Sequence, residues 1–175
     1  MFLIALALVI FAINAGVSTF KNLFFPSAYQ DLIHKYSNQY DIDEYLVMAV
    51  IKAESNFIPD AHSGKASGLM QLTDETAEWV CEKLDINEKR IDLFKPSDNI
   101  KLGCFYLKYL IDNYDGNIDV ALAAYNGGPG NVNRWLSDKD YSKNGKDLHY
   151  IPFKEKREYV FKVNRQWRIY KEIYQ

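Results

Sequence analysis

Residues 46–57 have the sequence LVMAVIKAESNF, an apolar run that carries one charge, Lys52, before it reaches Glu54. This pattern predicts a buried helix that ends near Glu54, because Asn56 and Pro59 follow. A carboxylate at that position is disfavoured as an anion by desolvation and by the negative end of the helix dipole. Both effects raise its pKa, as a general acid near neutral pH requires. The alternative is a Glu54 that reaches solvent or pairs with Lys52.

Three further motifs follow Glu54-Ser55 along the chain: GLMQ at 68–71, AYNGGPG at 124–130 and IPFKEKREYV at 151–160. The four blocks together resemble lytic transglycosylases of the soluble (SLT) type, glycoside hydrolase family 23, which cleave bacterial peptidoglycan. The resemblance covers residues 28–175, with the blocks in order and at family-like spacing. Two departures are visible. Lys156 stands where the family usually has Thr, and residues 62–67 are about one residue short.

The resemblance implies which residues form the site. Glu54 is expected to be the one catalytic acid and base, and the Tyr125 hydroxyl to steady it. Ser55 is expected to bond backbone or substrate, and Glu155 to bind substrate or hold an arginine. The full set of implied substrate-binding residues is Ser55, Ser63, Gln71, Tyr125, Asn126, Glu155 and Tyr159.

The resemblance also implies the chemistry. Glu54 would protonate the glycosidic oxygen between N-acetylmuramic acid and N-acetylglucosamine. As a carboxylate it would then take the proton of the muramyl C6 hydroxyl while that oxygen attacks C1, which forms a 1,6-anhydro ring without water. Most glycosidases use two carboxylates. Here an intramolecular hydroxyl held near C1 replaces the external nucleophile, so a second acid is not needed.

Two other functions remain open. A goose-type lysozyme-like muramidase would hydrolyse the same bond and would need a second acid, for which Asp60, Asp74 and Glu75 lie near in sequence. A non-catalytic cell-wall-binding module would have no need of Glu54 in an apolar setting.

The composition agrees with one compact extracellular domain. The chain has 175 residues, enough for a sizeable core, and its 21 basic and 23 acidic residues show no run of one sign. A nucleic-acid partner is therefore not expected. Aromatic residues make up 15 % of the chain, which permits sugar stacking but mainly predicts core packing. As the resemblance implies, we expect a monomer that binds peptidoglycan glycan strands.

The cysteines and histidines do not indicate a metal or cofactor. His34, His62 and His149 are scattered, and no Cys/His cluster has metal-ligand spacing. Cys81 and Cys104 each fall on the apolar side of a predicted helix. Buried free thiols are the favoured interpretation, and a disulfide is the alternative in an exported domain.

The N-terminus predicts a membrane segment. Residues 1–17 are apolar or small except for Asn14, and Lys21 is the first charged side chain. A helix of about 19 residues spans roughly 28 Å, enough for a bilayer core. Because no clean small-x-small cleavage site follows, a signal anchor is favoured over a cleaved signal peptide that would release a secreted protein. We expect the signal segment over residues 1–20, a tether over 21–27 and the catalytic domain on the extracytoplasmic face over 28–175.

The remaining pattern predicts an all-α, lysozyme-like domain behind the apolar signal-anchor helix. Asp41 and Glu44 are expected to form a capping box before the Glu54 helix. Residues 64–68 are predicted as a loop, and residues 137–147 as a loop or a short hairpin. The predicted helices cover residues 29–40, 42 to 54 or 55, 73–84, 96–114, 118–125, 132–136 and 155–174.

Overall fold

The computed structural model describes residues 24–175, together with the isolated positions Phe11 and Gly16. Apart from those two positions, the predicted signal anchor lies outside the described residues, and so do residues 21–23 of the predicted tether. In the part that is described, none of the helices combines the length and the apolar character that a membrane span needs.

The described chain is mainly helical, as predicted, with one small sheet. Three two-residue strands, β1 (His62–Ser63), β2 (Ala66–Ser67) and β3 (Leu72–Thr73), form an antiparallel sheet in the order β1-β2-β3. The prediction of a plain loop over 64–68 is wrong at Ala66–Ser67, because this segment pairs with both neighbours. The α-helices are α1 Gln30–Tyr40, α2 Glu44–Glu54, α3 Asp74–Lys83, α4 Pro96–Asn113, α5 Ile118–Gly127, α6 Pro129–Ser137 and α7 Lys154–Tyr174, and Glu88–Arg90 forms a 3₁₀ turn.

Side-chain caps set where the helices start. Thr73 caps α3 as predicted, since its hydroxyl accepts a hydrogen bond from the Thr76 amide at 3.2 Å. The capping box at Asp41 is wrong. Asp43 caps α2 instead, accepting from the Tyr45 amide at 2.8 Å, while Asp41 ends α1 in the left-handed conformation with a φ of 52°.

Helix α2 lies at the centre of the core, where all residues from Leu46 to Ile51 are at most 3 % exposed. It packs along α7, which buries Val163 and Tyr170. A smaller cluster around Val80 lies between α3 and α4. Burying this continuous apolar face is what holds the end of α2, and with it Glu54, in a fixed position.

Both cysteines are buried free thiols. Cys104 belongs to the large cluster around α2, and Cys81 to the smaller cluster around Val80. The favoured interpretation of the two thiols is thus confirmed.

The segment predicted as a loop or a short hairpin over residues 137–147 is a loop, because residues 138–153 carry no strand.

The last residues of the predicted tether are packed onto the domain. The Phe25 ring meets Tyr170 edge to face at 5.7 Å. The Tyr170 hydroxyl donates to the Pro26 carbonyl at 2.9 Å, and the Tyr174 hydroxyl donates to the Phe25 carbonyl at 2.7 Å. The chain that precedes α1 is therefore fixed at the C-terminal end of α7.

Candidate active site

Glu54 is the last residue of α2, and its side chain is partly buried. Burial raises the pKa of Glu54 from 4.5 to about 7, while the Tyr159 hydroxyl and the charges of Lys162 and Lys156 partly oppose this rise. The predicted rise in pKa is confirmed, with burial as its main cause. The alternative pairing with Lys52 is wrong, because the Lys52 ammonium donates to the Asn56 side chain.

Two tyrosines lie next to Glu54, of which Tyr125 is partly buried and Tyr159 is buried. The Tyr125 hydroxyl, from α5, donates to the Met70 carbonyl at 2.8 Å. The Tyr159 hydroxyl, from α7, is buried and has no partner with regular hydrogen-bond geometry, and the acid it faces is Glu54. The pKa of each tyrosine lies well above its usual value, first through burial and then through the charge of Glu54. Tyr125 thus fixes the GLMQ segment, and Tyr159 is the hydroxyl directed at the acid.

The GLMQ segment is held against α2 by polar contacts. The buried Ser55 hydroxyl donates to the Leu69 carbonyl at 2.8 Å and to Ile51 at 3.2 Å, so of its two predicted uses the structure gives the backbone bond. The Gln71 amide donates to the Gly68 carbonyl at 2.8 Å and to Ala61 at 3.0 Å. These bonds place Gln71 beside Glu54 at the protein surface.

Gly68 is required by its surroundings. Its φ is +78°, and a Cβ added there would lie 2.0 Å from the Leu93 carbonyl oxygen. The neighbouring Asn99 is fully buried on α4, accepts from the Met70 amide at 2.7 Å and donates to the Ser67 carbonyl at 2.9 Å. Sequence reasoning missed Asn99, although an Asn beside Ile100 on an apolar helix face was a visible signal.

Two cavities lie along this site. The acid cavity, about 420 Å³, is lined by Glu54 and Gln71, and the aromatic cavity, about 640 Å³, by Trp79 and Tyr125. The chain segment from Gln71 to Thr73 connects their linings, because Gln71 borders the first and Thr73 borders the second. We refer to the two cavities together as the cleft; each has the size and mixed polarity of a ligand site.

The structure brings most of the predicted residues to this cleft. Ser55 and Ser63 line the acid cavity with Glu54 and Gln71, and Asn126 lines the aromatic cavity with Tyr125. Tyr159 is buried.

Glu155 is the exception. It is exposed and borders neither cavity, and its side chain has no hydrogen bond or ion pair within the described residues. It holds no arginine, since the Arg157 guanidinium donates to the Ile151 carbonyl at 2.6 Å.

Residues 31–148 of the chain match the family described as the Transglycosylase SLT domain. The chain belongs to this SLT domain family. It is 37 % identical over 143 residues to the soluble lytic murein transglycosylase of Salmonella typhimurium, covering 79 % of this chain and 22 % of that protein. It is 34 % identical over 168 residues to the membrane-bound lytic murein transglycosylase C of Edwardsiella ictaluri, covering 83 % of this chain and 47 % of that protein.

A solved structure gives the same family and fold. The lytic transglycosylase Slt of Pseudomonas aeruginosa, solved as an inactive mutant with a glutamate replaced by glutamine, superposes with a TM-score of 0.75. The identity is 32 %, covering 87 % of this chain and 25 % of that one. The SLT domain described here thus spans less than half the length of each of these three relatives. The resemblance and the lysozyme-like helical domain are confirmed.

Two lysines of α7 complete the site of this SLT domain. Lys156 donates to the Asn126 carbonyl at 3.1 Å, and Lys162 donates to the Ala53 carbonyl at 2.8 Å. They flank Tyr159 at helical i,i+3 spacing, so one face of α7 carries all three. Sequence reasoning noted Lys156 as a departure from the family but gave neither lysine a role, although that spacing was readable.

Proposed function

We propose that this SLT domain is a lytic transglycosylase that cleaves the β-1,4 bond between N-acetylmuramic acid and N-acetylglucosamine in peptidoglycan. The observation that carries the proposal is that Glu54 has no second carboxylate near it among the described residues. Its pKa of about 7 reflects burial, one tyrosine and two lysines, and no other carboxylate of the described chain is near enough to alter it. The names of the similar proteins, lytic murein transglycosylases, support the same activity.

A lone carboxyl group of this pKa can serve both halves of the reaction. Protonated Glu54 donates its proton to the glycosidic oxygen as the bond from C1 breaks. The resulting carboxylate accepts the proton of the muramyl C6 hydroxyl, whose oxygen bonds to C1 and closes the 1,6-anhydro ring. Tyr159 and Lys162 both favour the carboxylate form, so they stabilise Glu54 after it has released its proton.

The main alternative is hydrolysis with a second acid. Glu75 lines the aromatic cavity on α3 and is the candidate that the structure offers for a water-activating base. It is exposed, however, and it does not influence the pKa of Glu54. A retaining pair of carboxyl groups about 5 Å apart would show such an influence, so a nucleophilic Glu75 is disfavoured. A Glu75 that activates water would lie farther from Glu54, and substitution of Glu75 tests that role.

The experiment compares two glutamate substitutions on purified sacculi. Glu54→Gln removes the transferable proton with little change of shape, and we expect cleavage to fall to less than about a hundredth of wild type. Glu75→Gln is the matched control and should keep most of the activity. Loss of activity in Glu75→Gln would favour the hydrolase. A Glu54→Gln protein that still performs its role in cells would favour a binding module.

We also propose that residues 1–20 hold the domain at the outer face of the cytoplasmic membrane. The support is the length and apolar character of this segment. Cell fractionation followed by N-terminal sequencing tests it. The anchor predicts a membrane-bound protein with its first residues intact, and a soluble protein beginning near Gly16 would contradict it.

A further inference from the structure

A hydrogen bond from Lys156 joins the two helices that carry the tyrosines beside Glu54. The Lys156 ammonium, from the first turn of α7, donates to the Asn126 carbonyl near the end of α5 at 3.1 Å. Asn126 directly follows Tyr125 in the sequence. Lys156 precedes Tyr159 by about one helical turn. The bond therefore ties the backbone next to one tyrosine to the helical turn that carries the other.

The Asn126 carbonyl lies where α5 leaves its backbone acceptors without helical partners. The last four carbonyls of an α-helix have no hydrogen-bond donor within that helix, and α5 ends at Gly127. The Gly127 carbonyl accepts from the Asn131 side chain at 2.7 Å. Lys156 supplies the donor for Asn126, and a positive charge is favoured at the C-terminal end of a helix. Lys156 thus caps the end of α5 from α7.

Lys156 differs both from a surface lysine and from a substrate contact. It is partly buried, and it takes part in no salt bridge among the residues that the structure describes. Lys154, two residues earlier, is exposed and pairs with Glu158 at 3.7 Å. Lys156 borders neither the acid cavity nor the aromatic cavity. Any contribution of Lys156 to the reaction therefore passes through the groups that it holds.

The charge of Lys156 also reaches Glu54. Burial raises the pKa of Glu54 to about 7, and Lys156 opposes this rise, after Tyr159 and Lys162. The other titratable groups around the acid come from four elements: Lys52 of α2, His62 of β1, Tyr125 of α5, and Tyr159 and Lys162 of α7. All of them stay in place when Lys156 alone is substituted, so a changed titration of the acid reports on Lys156.

We propose that Lys156 is a positioning residue, which holds Tyr125 and Tyr159 around the catalytic acid by capping α5 from α7. The inference rests on the proposed function. The positive charge of Lys156 favours the carboxylate form of Glu54, which accepts the C6 proton in the second half of the reaction. The family usually has threonine at this position, and threonine carries no charge. The charged cap therefore distinguishes this chain from the usual family pattern.

The experiment measures kcat, KM and their pH profiles on soluble glycan strands, with the full-length protein in detergent. Lys156→Met removes the donor and the charge but keeps an unbranched side chain. We expect kcat to fall roughly threefold to tenfold, the size of one hydrogen bond, with little change in KM. The alkaline fall in activity should move to higher pH by roughly 0.2–0.7 pH units, the range for a partly exposed charge pair, because Glu54 keeps its proton to higher pH. Lys156→Arg should restore both values.

The matched control is Lys154→Met, which removes the same charge from the same turn of α7 at an exposed position. It should leave kcat and the pH profile at their wild-type values. The pH of the alkaline fall does not depend on the amount of folded enzyme, so it can be measured even if Lys156→Met is less stable. An unmoved profile in Lys156→Met, an equal shift in Lys154→Met or a failure of Lys156→Arg to restore the profile would overturn the proposal.

Carbon-13 NMR of the Glu54 carboxyl group in the substrate-free protein separates this inference from the proposed activity. The titration midpoint of Glu54 should lie higher in Lys156→Met than in wild type by the same amount as the kinetic profile. A raised midpoint in a protein that cleaves nothing, or that releases reducing ends, would support the role of Lys156 and remove the transglycosylase. An unmoved midpoint together with 1,6-anhydro products would overturn the role of Lys156 and leave the transglycosylase standing.

Discussion

Substituting Glu54 with glutamine should make the protein more stable at neutral and alkaline pH. The pKa of Glu54 rises on folding from 4.5 to about 7. As the pH increases through this interval, the unfolded chain releases the proton while the folded protein keeps it, so the wild type loses stability. Each pH unit is worth about 1.4 kcal/mol, which gives a loss of about 3 kcal/mol. The loss is complete above pH 7 and absent below pH 4.5.

Urea unfolding at pH 4.5, 6 and 8 measures this effect directly. Glu54→Gln lacks the titrating group, so the free energy of unfolding of the variant relative to wild type should increase by about 3 kcal/mol from pH 4.5 to pH 8. Glu75→Gln, at an exposed position of α3, should follow the wild type over the same range. Parallel pH dependences for Glu54→Gln and wild type would refute the claim that Glu54 is held in a desolvating site.

Three further predictions concern activity and packing. The kcat/KM for sacculi should fall as the pH rises through about 7, because the general acid loses its proton there; a profile flat from pH 6 to 9 would contradict this. Tyr125→Phe should lower turnover, and it should lower the free energy of unfolding by about 1–3 kcal/mol, because the Met70 carbonyl loses its donor. An unchanged turnover and an unchanged free energy from urea unfolding would contradict this prediction. Deleting residues 1–20 should leave the domain folded and active. Deleting residues 1–27 should lower the free energy of unfolding by about 2 kcal/mol or more, because the Phe25 packing and the two tyrosine hydrogen bonds are lost. Equal melting temperatures for the two truncations would show that Phe25 contributes nothing.

Local sequence signals located the α-helices of this domain but not all of their ends. Thr73 and Thr76 mark the start of α3, and Pro96 marks the start of α4, because caps and prolines act within one turn. The apolar run from Leu46 to Ile51 identified the central helix, because this pattern too is local in the sequence. The start of α2 was misplaced because Asp41 and Asp43 both have acceptor side chains, and the turn between α1 and α2 decides which of them caps.

The small sheet could not be read from the sequence. Strands of two residues are too short for any period-2 pattern, and the pairing of Ser67 with both His62 and Leu72 depends on the turn at Gly64 and on Asn99 from a distant helix. The strand segment is nonetheless what places Gln71 at the cleft.

The acid of the candidate site, Glu54, was predictable from the sequence. The residues that surround and hold it were less predictable. The apolar residues that precede Glu54 in the sequence were enough to indicate a raised pKa. No local pattern predicts the relation of Tyr125 and Tyr159 to that acid, because it depends on how α5 and α7 dock against α2; only the family resemblance placed Tyr125 beside Glu54. The contact of Lys162 with the Ala53 carbonyl joins residues 109 positions apart, and no local pattern specifies such a pair.

The most direct test of the central claim is mass spectrometry of the muropeptides that the purified protein releases from sacculi. A single acid working with the C6 hydroxyl of the substrate predicts products that end in 1,6-anhydromuramic acid, and the Glu54→Gln protein should release none. Products with reducing ends, heavier by one water, would contradict the account and identify the protein as a hydrolase.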